Sequence, residues 1–263
     1  MKFYDAHNHL QDDRLRPHLD GVIAAVRAIP ITRMVVNGSC EEDWPEVLKL
    51  AREFPEVLPS FGYHPWYVKE RTSEWRERLV EFLNQVPSAV GEVGLDRWIK
   101  DHDIAQQQEV FEWQLRLAAE RELPVSIHCI QAWGLLLSIL QRGPVSKRGF
   151  LLHSYGGSVE MIPDFVKLGA YFSFPGYYAQ EKKLRQREIF RSVPRDRLLI
   201  ETDAPDQPLP NERNHFPLLD SAGKPINHPA NLAAVYEFVS EWLGETPEAL
   251  ASRVEGNFLR LFE

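Results

Sequence analysis

The chain has few cysteines, no long apolar run and no excess of positive charge. Its 263 residues include two cysteines, Cys40 and Cys129, which are too few for a disulfide scaffold and lack the paired spacing of a thiolate zinc site. No stretch approaches the roughly 18 apolar residues that a membrane span needs, and no basic segment leads into an apolar signal. We therefore expect an unprocessed, soluble, cytoplasmic protein with no membrane partner.

The charge balance and the glycine pattern argue against two further classes of protein. A formal net charge of −8 disfavours a sequence-independent coat for nucleic acid, which needs a broad basic surface, but it allows an enzyme with a local basic cleft. No GxGxxG motif follows an early strand candidate, which disfavours a doubly wound dinucleotide-binding sheet.

Short apolar runs rich in β-branched residues recur along the chain and alternate with helical patterns. Eight runs are strand candidates: residues 2–5, 33–37, 58–62, 89–93, 124–128, 149–153, 170–174 and 198–201. Buried strands that alternate with helices indicate parallel pairing, and eight such repeats predict a TIM-type (β/α)8 barrel. We expect a single domain over residues 1–263, with final helices at 230–243 and 247–262. The irregular segment 204–229 is a candidate lid.

The first strand candidate runs into two histidines that are one residue apart. In an extended strand, residues i and i+2 point to the same side, so His7 and His9 project together, with Asp5 below them. Imidazole is a common ligand of zinc and related metals, so the pair is half of a tetrahedral shell. The alternative is a strand whose polar end frays into a loop, and the motif alone does not separate the two.

Histidines or acidic residues stand at six of the eight predicted strand ends, where barrels of this type place their function. They are His7 with His9, His64, Glu92 with Asp96, His128, His153, and Glu201 with Asp203. Each has a structural alternative, such as a hydrogen-bonded core histidine or a carboxylate paired with arginine. Their joint placement on one rim favours a metal centre, because charged groups are rarely buried unpaired.

The remaining four histidines lie outside the predicted strand ends, and we do not expect them to bind metal. We expect His18 and His102 to be solvated, whereas His215 and His228 belong to the candidate lid and are the ones that could contact a substrate.

With these residues in view, the chain resembles the TatD family of metal-dependent hydrolases, within the amidohydrolase-like barrels. The resemblance runs end to end and rests on DxHxH at residues 5–9, GxHP at 62–65, GExGLD at 91–96, the histidines at 128 and 153, and ETDAP at 201–205. Two departures indicate a divergent branch, whose substrate cannot simply be inherited. His128 is followed by Cys129-Ile130-Gln131 instead of an Arg and then Asp, and the Asn-Glu-Pro of the lid becomes Asn227-His228-Pro229.

The resemblance implies a centre of two divalent metal ions and a metal-activated water as nucleophile. It implies one ion held by His7, His9, Glu92 and Asp203, and a second held by His128 and His153, with Glu92 bridging the two. Four imidazoles and two carboxylates suit zinc, manganese, nickel or iron better than calcium or magnesium, with magnesium an alternative in the cell.

The resemblance also implies catalytic roles. Asp203 would orient the water and accept its proton, while His64 would bind the substrate phosphate or assist the leaving group. A structural alternative for His64 is to cap the turn before Pro65. Glu201 shares a strand face with Asp203 and is a further candidate acid or base, or a partner that orients a ligand; we expect Asp5 and Asp96 to orient ligands.

TatD relatives are described chiefly as DNases, which often act on single strands from an end, so the resemblance implies hydrolysis of DNA phosphodiesters. Nucleic acid, with single-stranded DNA favoured, would be the substrate and not a tightly bound partner. We expect the protein itself to be a monomer or a small homo-oligomer. Aromatic residues follow several strand ends and offer faces for bases, although aromatics near turns are also ordinary packing; they are Trp66, Tyr67, Trp98, Trp133, Tyr155, Tyr177 and Tyr178.

Two other functions stay open. The same site could hydrolyse a carboxylic ester, amide or lactone, including an aminoacyl ester on tRNA. A lesser alternative is a binding scaffold that has kept its metal without catalysis.

Overall fold

Eight parallel strands form one sheet, in which the strands lie side by side in the order in which they occur along the chain. The structure is a computed structural model and describes every residue from Met1 to Glu263. The strands are β1 (Phe3–Asn8), β2 (Ile31–Asn37), β3 (Val57–Phe61), β4 (Ala89–Asp96), β5 (Val125–Ile130), β6 (Phe150–Leu152), β7 (Ala170–Pro175) and β8 (Leu198–Glu201). Nearly all strand residues are buried, as expected when helices cover a parallel sheet.

Nine helices surround the sheet. They are α1 (Leu19–Ala28), α2 (Trp44–Glu53), α3 (Trp75–Leu83), α4 (Ile104–Glu120), α5 (Trp133–Arg142), α6 (Ile162–Lys167), α7 (Leu184–Ile189), α8 (Leu232–Leu243) and α9 (Pro247–Phe262). Fully buried rings such as Trp44, Phe111 and Phe258 project from them into the core shared with the strands. Asp103 caps α4, because its carboxylate accepts a hydrogen bond from the Gln106 amide.

The first and last strands meet through residues close to the predicted site. The Asp203 amide donates to the His7 carbonyl at 2.9 Å. One residue before Asp203, Thr202 donates two hydrogen bonds to the Asp5 carboxylate, from its amide at 3.0 Å and from its hydroxyl at 2.6 Å. The seam of the barrel and the functional rim therefore depend on the same two strands.

The predicted TIM-type barrel is confirmed. The predicted strand 198–201 and the predicted helix 247–262 coincide with β8 and α9. Within the candidate lid, a short hairpin forms from β9 (Leu218–Leu219) and β10 (Pro225–Ile226). None of the helices combines the length and the apolar character that crossing a membrane requires.

Candidate metal centre

Glu92 lies at the centre of a group of histidines at the C-terminal mouth of the barrel. Its Oε2 lies 3.4 Å from His7 Nε2 and 3.2 Å from His9 Nε2. Its Oε1 lies 2.9 Å from His128 Nδ1 and 2.7 Å from His153 Nε2. Each carboxylate oxygen therefore faces a different pair of imidazoles, as a bridging carboxylate would, and Oε1 also has a third imidazole, that of His64, at 3.4 Å.

A glycine brings the strands of Glu92 and His128 close together. Gly94 is paired with His128 across β4 and β5, and a Cβ at residue 94 would lie 1.9 Å from the His128 carbonyl oxygen. Only glycine tolerates this approach together with a φ of +150°. The second glycine of the GExGLD motif thus has a steric reason.

Asp203 faces His7 and His9 from the segment that follows β8. Its backbone has a left-handed φ of 53°, a region that aspartate tolerates better than most residues. Asp203 Oδ1 lies 3.6 Å from His7 Nε2 and 3.7 Å from His9 Nε2. The other oxygen, Oδ2, accepts a hydrogen bond from Gln207 Nε2 at 2.5 Å.

The donor set fits divalent cations better than a hydrogen-bonded polar core. His7 Nε2 lies 3.3 Å from His9 Nε2, and His128 Nδ1 lies 3.3 Å from His153 Nε2. A hydrogen bond between two ring nitrogens uses only one proton, whereas both nitrogens of each pair also face an oxygen of Glu92. Nitrogen and carboxylate ligands that converge in a buried place are those that zinc, manganese, nickel and iron take. Three overlapping groups have ligand atoms within 4.8 Å of one another: His7, His153 and Asp203; His7, His9 and Glu92; and His64, Glu92 and His128.

Burial and mutual charge set the protonation of this cluster. Burial by itself raises the pKa of Glu92, but electrostatic attraction to the surrounding histidines, chiefly His153, holds that pKa well below its usual range. Burial lowers the pKa of His64 to about 4. Burial raises the pKa of Asp203 above its ordinary value. At neutral pH the central carboxylate is therefore ionised and His64 is neutral.

Asn37, which no sequence motif indicated, orients both histidines at the end of β1. Its side-chain amide lies 3.1 Å from His7 Nδ1, and its carbonyl oxygen accepts from His9 Nδ1 at 2.8 Å. Both rings are thereby turned so that Nε2 faces the cluster. A polar residue at the end of the apolar strand 33–37 is the signal that could have found it.

Asp96 contacts His128 from the side away from Glu92. Asp96 Oδ2 accepts from His128 Nε2 at 2.8 Å and from the Trp66 indole at 2.7 Å. Its Oδ1 accepts from the Trp98 amide at 2.6 Å. These bonds leave His128 Nδ1 directed at the central carboxylate.

His64 has one ring nitrogen in a turn and the other at the cluster. Its Nδ1 accepts a hydrogen bond from the Trp66 amide at 3.1 Å, and its Nε2 lies 3.4 Å from Glu92 Oε1. The ring therefore caps the turn before Trp66 and also faces the centre, so both alternatives for His64 have a geometric basis.

Glu201 lies beneath the cluster and is fully buried. Its carboxylate accepts from the Ser154 amide at 2.9 Å and the Ser154 hydroxyl at 2.5 Å, and also from the Ser173 hydroxyl. It lies 3.9 Å from His153 Nδ1. This separation is too long for a hydrogen bond, so Ser154 and Ser173, and not His153, hold the Glu201 carboxylate, which does not line the cavity.

The cluster opens into a cavity of about 610 Å³. Among its lining residues are His9, His64, Glu92, His128, His153 and Asp203, together with Arg14, Trp66, Trp98, Trp133, Tyr177 and Lys183. Trp66 and Trp98 are 44% and 64% exposed. Tyr155, in contrast, is fully buried against Trp133 and Phe172, so it is core packing and offers no face to a ligand.

Only the start of the candidate lid reaches this cavity. Asp206 and Gln207 line it, whereas His215 and His228 line a separate cleft beside α1. His228 Nδ1 accepts a hydrogen bond from the Ala230 amide at 2.9 Å and so caps the turn that leads into α8. Neither lid histidine is placed to touch a substrate in the cavity.

A parallel eight-stranded barrel with clustered imidazoles and carboxylates at its strand ends has the architecture of a metal-dependent hydrolase. The family model for TatD related DNase matches residues 4–263 of this chain. The chain therefore belongs to the TatD related DNase family. The predictions of family and of a metal-dependent hydrolase are confirmed.

Relatives with the same architecture extend over the whole chain. The 3'-5' ssDNA/RNA exonuclease TatD of Salmonella typhimurium is 31% identical over 263 residues, which cover 99% of this chain and 98% of that protein. The uncharacterized metal-dependent hydrolase YabD of Bacillus subtilis is 31% identical over 267 residues, 98% of each chain. The crystal structure of the Escherichia coli TatD homolog YjjV superposes with a TM-score of 0.88 at 27% identity, covering 99% of this chain and 97% of that one.

Proposed function

We propose that this enzyme is a metal-dependent exonuclease that hydrolyses phosphodiester bonds of single-stranded nucleic acid, with DNA as the favoured substrate. The observation that carries the proposal is Glu92 placed between two pairs of imidazoles, with Asp203 facing one pair at the floor of an open cavity. The Salmonella relative, named as an exonuclease of single-stranded DNA and RNA, supports this choice of substrate. Residues 1–263 would act as one cytoplasmic domain, as a monomer or small homo-oligomer.

In this proposal two divalent ions occupy the cluster. The first has His7, His9, Glu92 and Asp203 as ligands, and the second has Glu92, His128 and His153. When bound, such ions supply Lewis acidity and lower the pKa of water to near neutrality. Zinc, manganese, nickel or iron match the nitrogen-rich set better than magnesium or calcium.

Asp203 is the proposed general base. Gln207 holds its Oδ2, so Oδ1 is directed at the centre, where it orients the attacking water and accepts a proton from it.

His64 is the proposed contact to the substrate phosphate. Because its Nδ1 accepts the Trp66 amide, the ring proton is on Nε2, the nitrogen that points toward the cavity. A neutral imidazole with this tautomer donates a hydrogen bond to a phosphate oxygen. The same tautomer makes His64 less suited to ligate a metal than His128 or His153.

The test uses metal-reconstituted protein with single-stranded DNA labelled at either end, and bis(p-nitrophenyl) phosphate as a small phosphodiester. We expect the DNA to shorten from one end, and we expect Asp203→Asn to lower both activities about 10²- to 10⁴-fold while circular dichroism and thermal unfolding show an intact fold. Chelation followed by addition of each metal identifies the ions that restore turnover.

Two outcomes would replace this proposal. Turnover of a carboxylic or aminoacyl ester without any phosphodiester turnover would assign the site to ester hydrolysis. Full metal occupancy without turnover of either class would indicate a binding scaffold.

A further inference from the structure

Two exposed tryptophans stand at the mouth of the cavity. Trp66 follows β3 and Trp98 follows β4, and both line the cavity above the histidine cluster. Large apolar side chains are otherwise mostly buried in this protein. Single exposed apolar residues are ordinary, but two exposed indoles at one functional opening suggest contact with a ligand.

One carboxylate fixes the indole of Trp66 and the backbone of Trp98 relative to the metal centre. Asp96 Oδ2 accepts from the Trp66 indole at 2.7 Å and from His128 Nε2 at 2.8 Å, and Asp96 Oδ1 accepts from the Trp98 backbone amide at 2.6 Å. The indole of Trp66 is therefore already immobilised before a ligand arrives. A preorganised surface of this kind loses little conformational entropy on binding.

The surroundings of Trp66 define what it can recognise. Its ring centroid lies 5.0 Å from that of His64 and 6.2 Å from that of His128, both in edge contacts. Since its N–H is already donated to Asp96, the exposed part of the indole presents a π face and no free polar group. Such a face suits a flat ring and does not select a particular base.

Basic residues line the cavity or lie next to Trp98 in the sequence. Arg97 and Lys100 are exposed on either side of Trp98 in sequence. On the other wall of the cavity, Lys183 lies 4.8 Å from the ring centroid of Tyr177. In a chain with a formal net charge of −8, a cation beside an aromatic ring of the cavity, and two more next to Trp98 in the sequence, are complementary to the phosphates and bases of a nucleic acid.

We propose that Trp66 and Trp98 form a stacking platform for an unpaired nucleobase next to the scissile phosphate. The inference rests on the proposed nuclease function and adds to it the position and the kind of base that is bound. Both faces of a base within a duplex are covered by its neighbours, so the platform accepts single-stranded ends and disfavours paired ones.

The experiment measures binding separately from cleavage. Dissociation constants of metal-loaded Asp203→Asn protein for fluorescein-labelled single-stranded oligonucleotides are compared with those of the same protein carrying Trp98→Ala or Trp98→Phe. We expect Trp98→Ala to weaken binding about 5- to 150-fold and Trp98→Phe, which keeps an aromatic face, to stay close to the parent. Leu259→Ala removes an exposed apolar side chain on α9 and is the matched control, with no change expected.

Oligonucleotides with one abasic site at successive positions identify the stacked base. At one position the abasic site should weaken binding by the parent Asp203→Asn protein. At that position the dissociation constants of the parent and of the protein with the added Trp98→Ala change should become equal, as a double-mutant cycle requires. Trp66→Phe, which loses the bond to Asp96 but keeps a ring, should bind more weakly than the parent.

The outcomes distinguish the platform from the nuclease proposal. If wild-type enzyme cleaves single-stranded DNA but Trp98→Ala changes neither affinity nor its dependence on abasic sites, the platform is wrong and the nuclease proposal stands. If the wild-type holoenzyme neither binds nor cleaves the oligonucleotides, both are wrong.

Discussion

Gln207 Nε2 donates a hydrogen bond of 2.5 Å to Asp203 Oδ2, from a backbone with a left-handed φ of 50°. The same amide group donates to the Ser154 hydroxyl at 2.6 Å, and that hydroxyl donates to Glu201. Hydrogen bonds therefore connect Gln207, at the start of the lid segment, to two carboxylates: directly to Asp203, and through the Ser154 hydroxyl to Glu201. The bond to Asp203 fixes the rotation of the proposed general base.

Replacing Gln207 by Met removes the donor and keeps the length of the side chain. We expect kcat to fall about 10- to 100-fold, the usual effect of losing a partner of a metal-site ligand, with a much smaller change in KM. Steady-state kinetics on the oligonucleotide at saturating metal measure both. Gln207→Glu, which places a second carboxylate beside Asp203, should be at least as impaired; normal kcat in both variants would show that Asp203 needs no such support.

Asp96→Asn keeps the shape of the side chain and removes its negative charge next to His128. We expect the affinity for the second metal ion to fall about 10- to 100-fold, while the first ion, whose proposed ligands do not include His128, is little affected. Calorimetric titration of the chelated protein gives the two affinities. Asp101→Asn, an exposed carboxylate on the same loop, is the control, and equal weakening of both ions by Asp96→Asn would contradict the proposed ligand sets.

The positions of the main site residues could be predicted from the sequence because one rule placed them. Parallel strands show as apolar runs, and polar residues at the ends of such runs meet on one rim. Asn37 and Gln207 belong to no recognised motif. Their roles depend on hydrogen-bond partners that the fold brings to them, His7 and His9 for Asn37 and Asp203 for Gln207. Trp98 and Tyr155 both follow strand ends, yet one ring is exposed and the other is buried, because neighbouring side chains decide which way each ring turns.

Glu201→Gln separates an acid–base role from an orienting role. A glutamine amide has a single oxygen, so if that oxygen accepts from Ser154, the NH2 group meets the Ser173 hydroxyl, which must turn to accept. The loss of two hydrogen bonds to a charged acceptor costs about 1–3 kcal/mol in the free energy of unfolding. We expect lower stability and weaker metal binding, with kcat recovering toward the wild-type value at saturating metal. A kcat that stays at least about 10²-fold lower in folded, metal-saturated protein would instead make Glu201 a catalytic acid or base.

Thr202→Val removes the hydroxyl that donates to Asp5 where β8 meets β1. The buried carboxylate would lose one of its donors, so we expect the free energy of unfolding to fall by about 1–3 kcal/mol. Urea unfolding of chelated protein measures this change without the stabilisation that bound metal adds. Thr202→Ser retains the hydroxyl and should lose less; equal losses would mean that packing of the methyl group, and not the hydrogen bond, is responsible.

His228 makes stability depend on pH at a place remote from the histidine cluster. Burial, reinforced by the charge of His18, lowers the pKa of His228 to about 4, and its Nδ1 accepts a hydrogen bond from the Ala230 amide that a protonated ring cannot accept. Since the pKa in the folded state lies below the ordinary value of 6.5, the unfolded chain binds this proton more tightly. The contribution of neutral His228 is therefore complete above about pH 6.5 and is lost as the pH falls toward about 4.

His228→Asn keeps an acceptor at the same position but does not titrate. Its free energy of unfolding should therefore decline less than that of the wild type between about pH 7 and about pH 5. Urea unfolding of both chelated proteins at the two pH values checks this, because the other histidines contribute equally to both and cancel in the difference. Identical declines would mean that His228 is accessible enough to be protonated in the folded state as readily as in the unfolded chain.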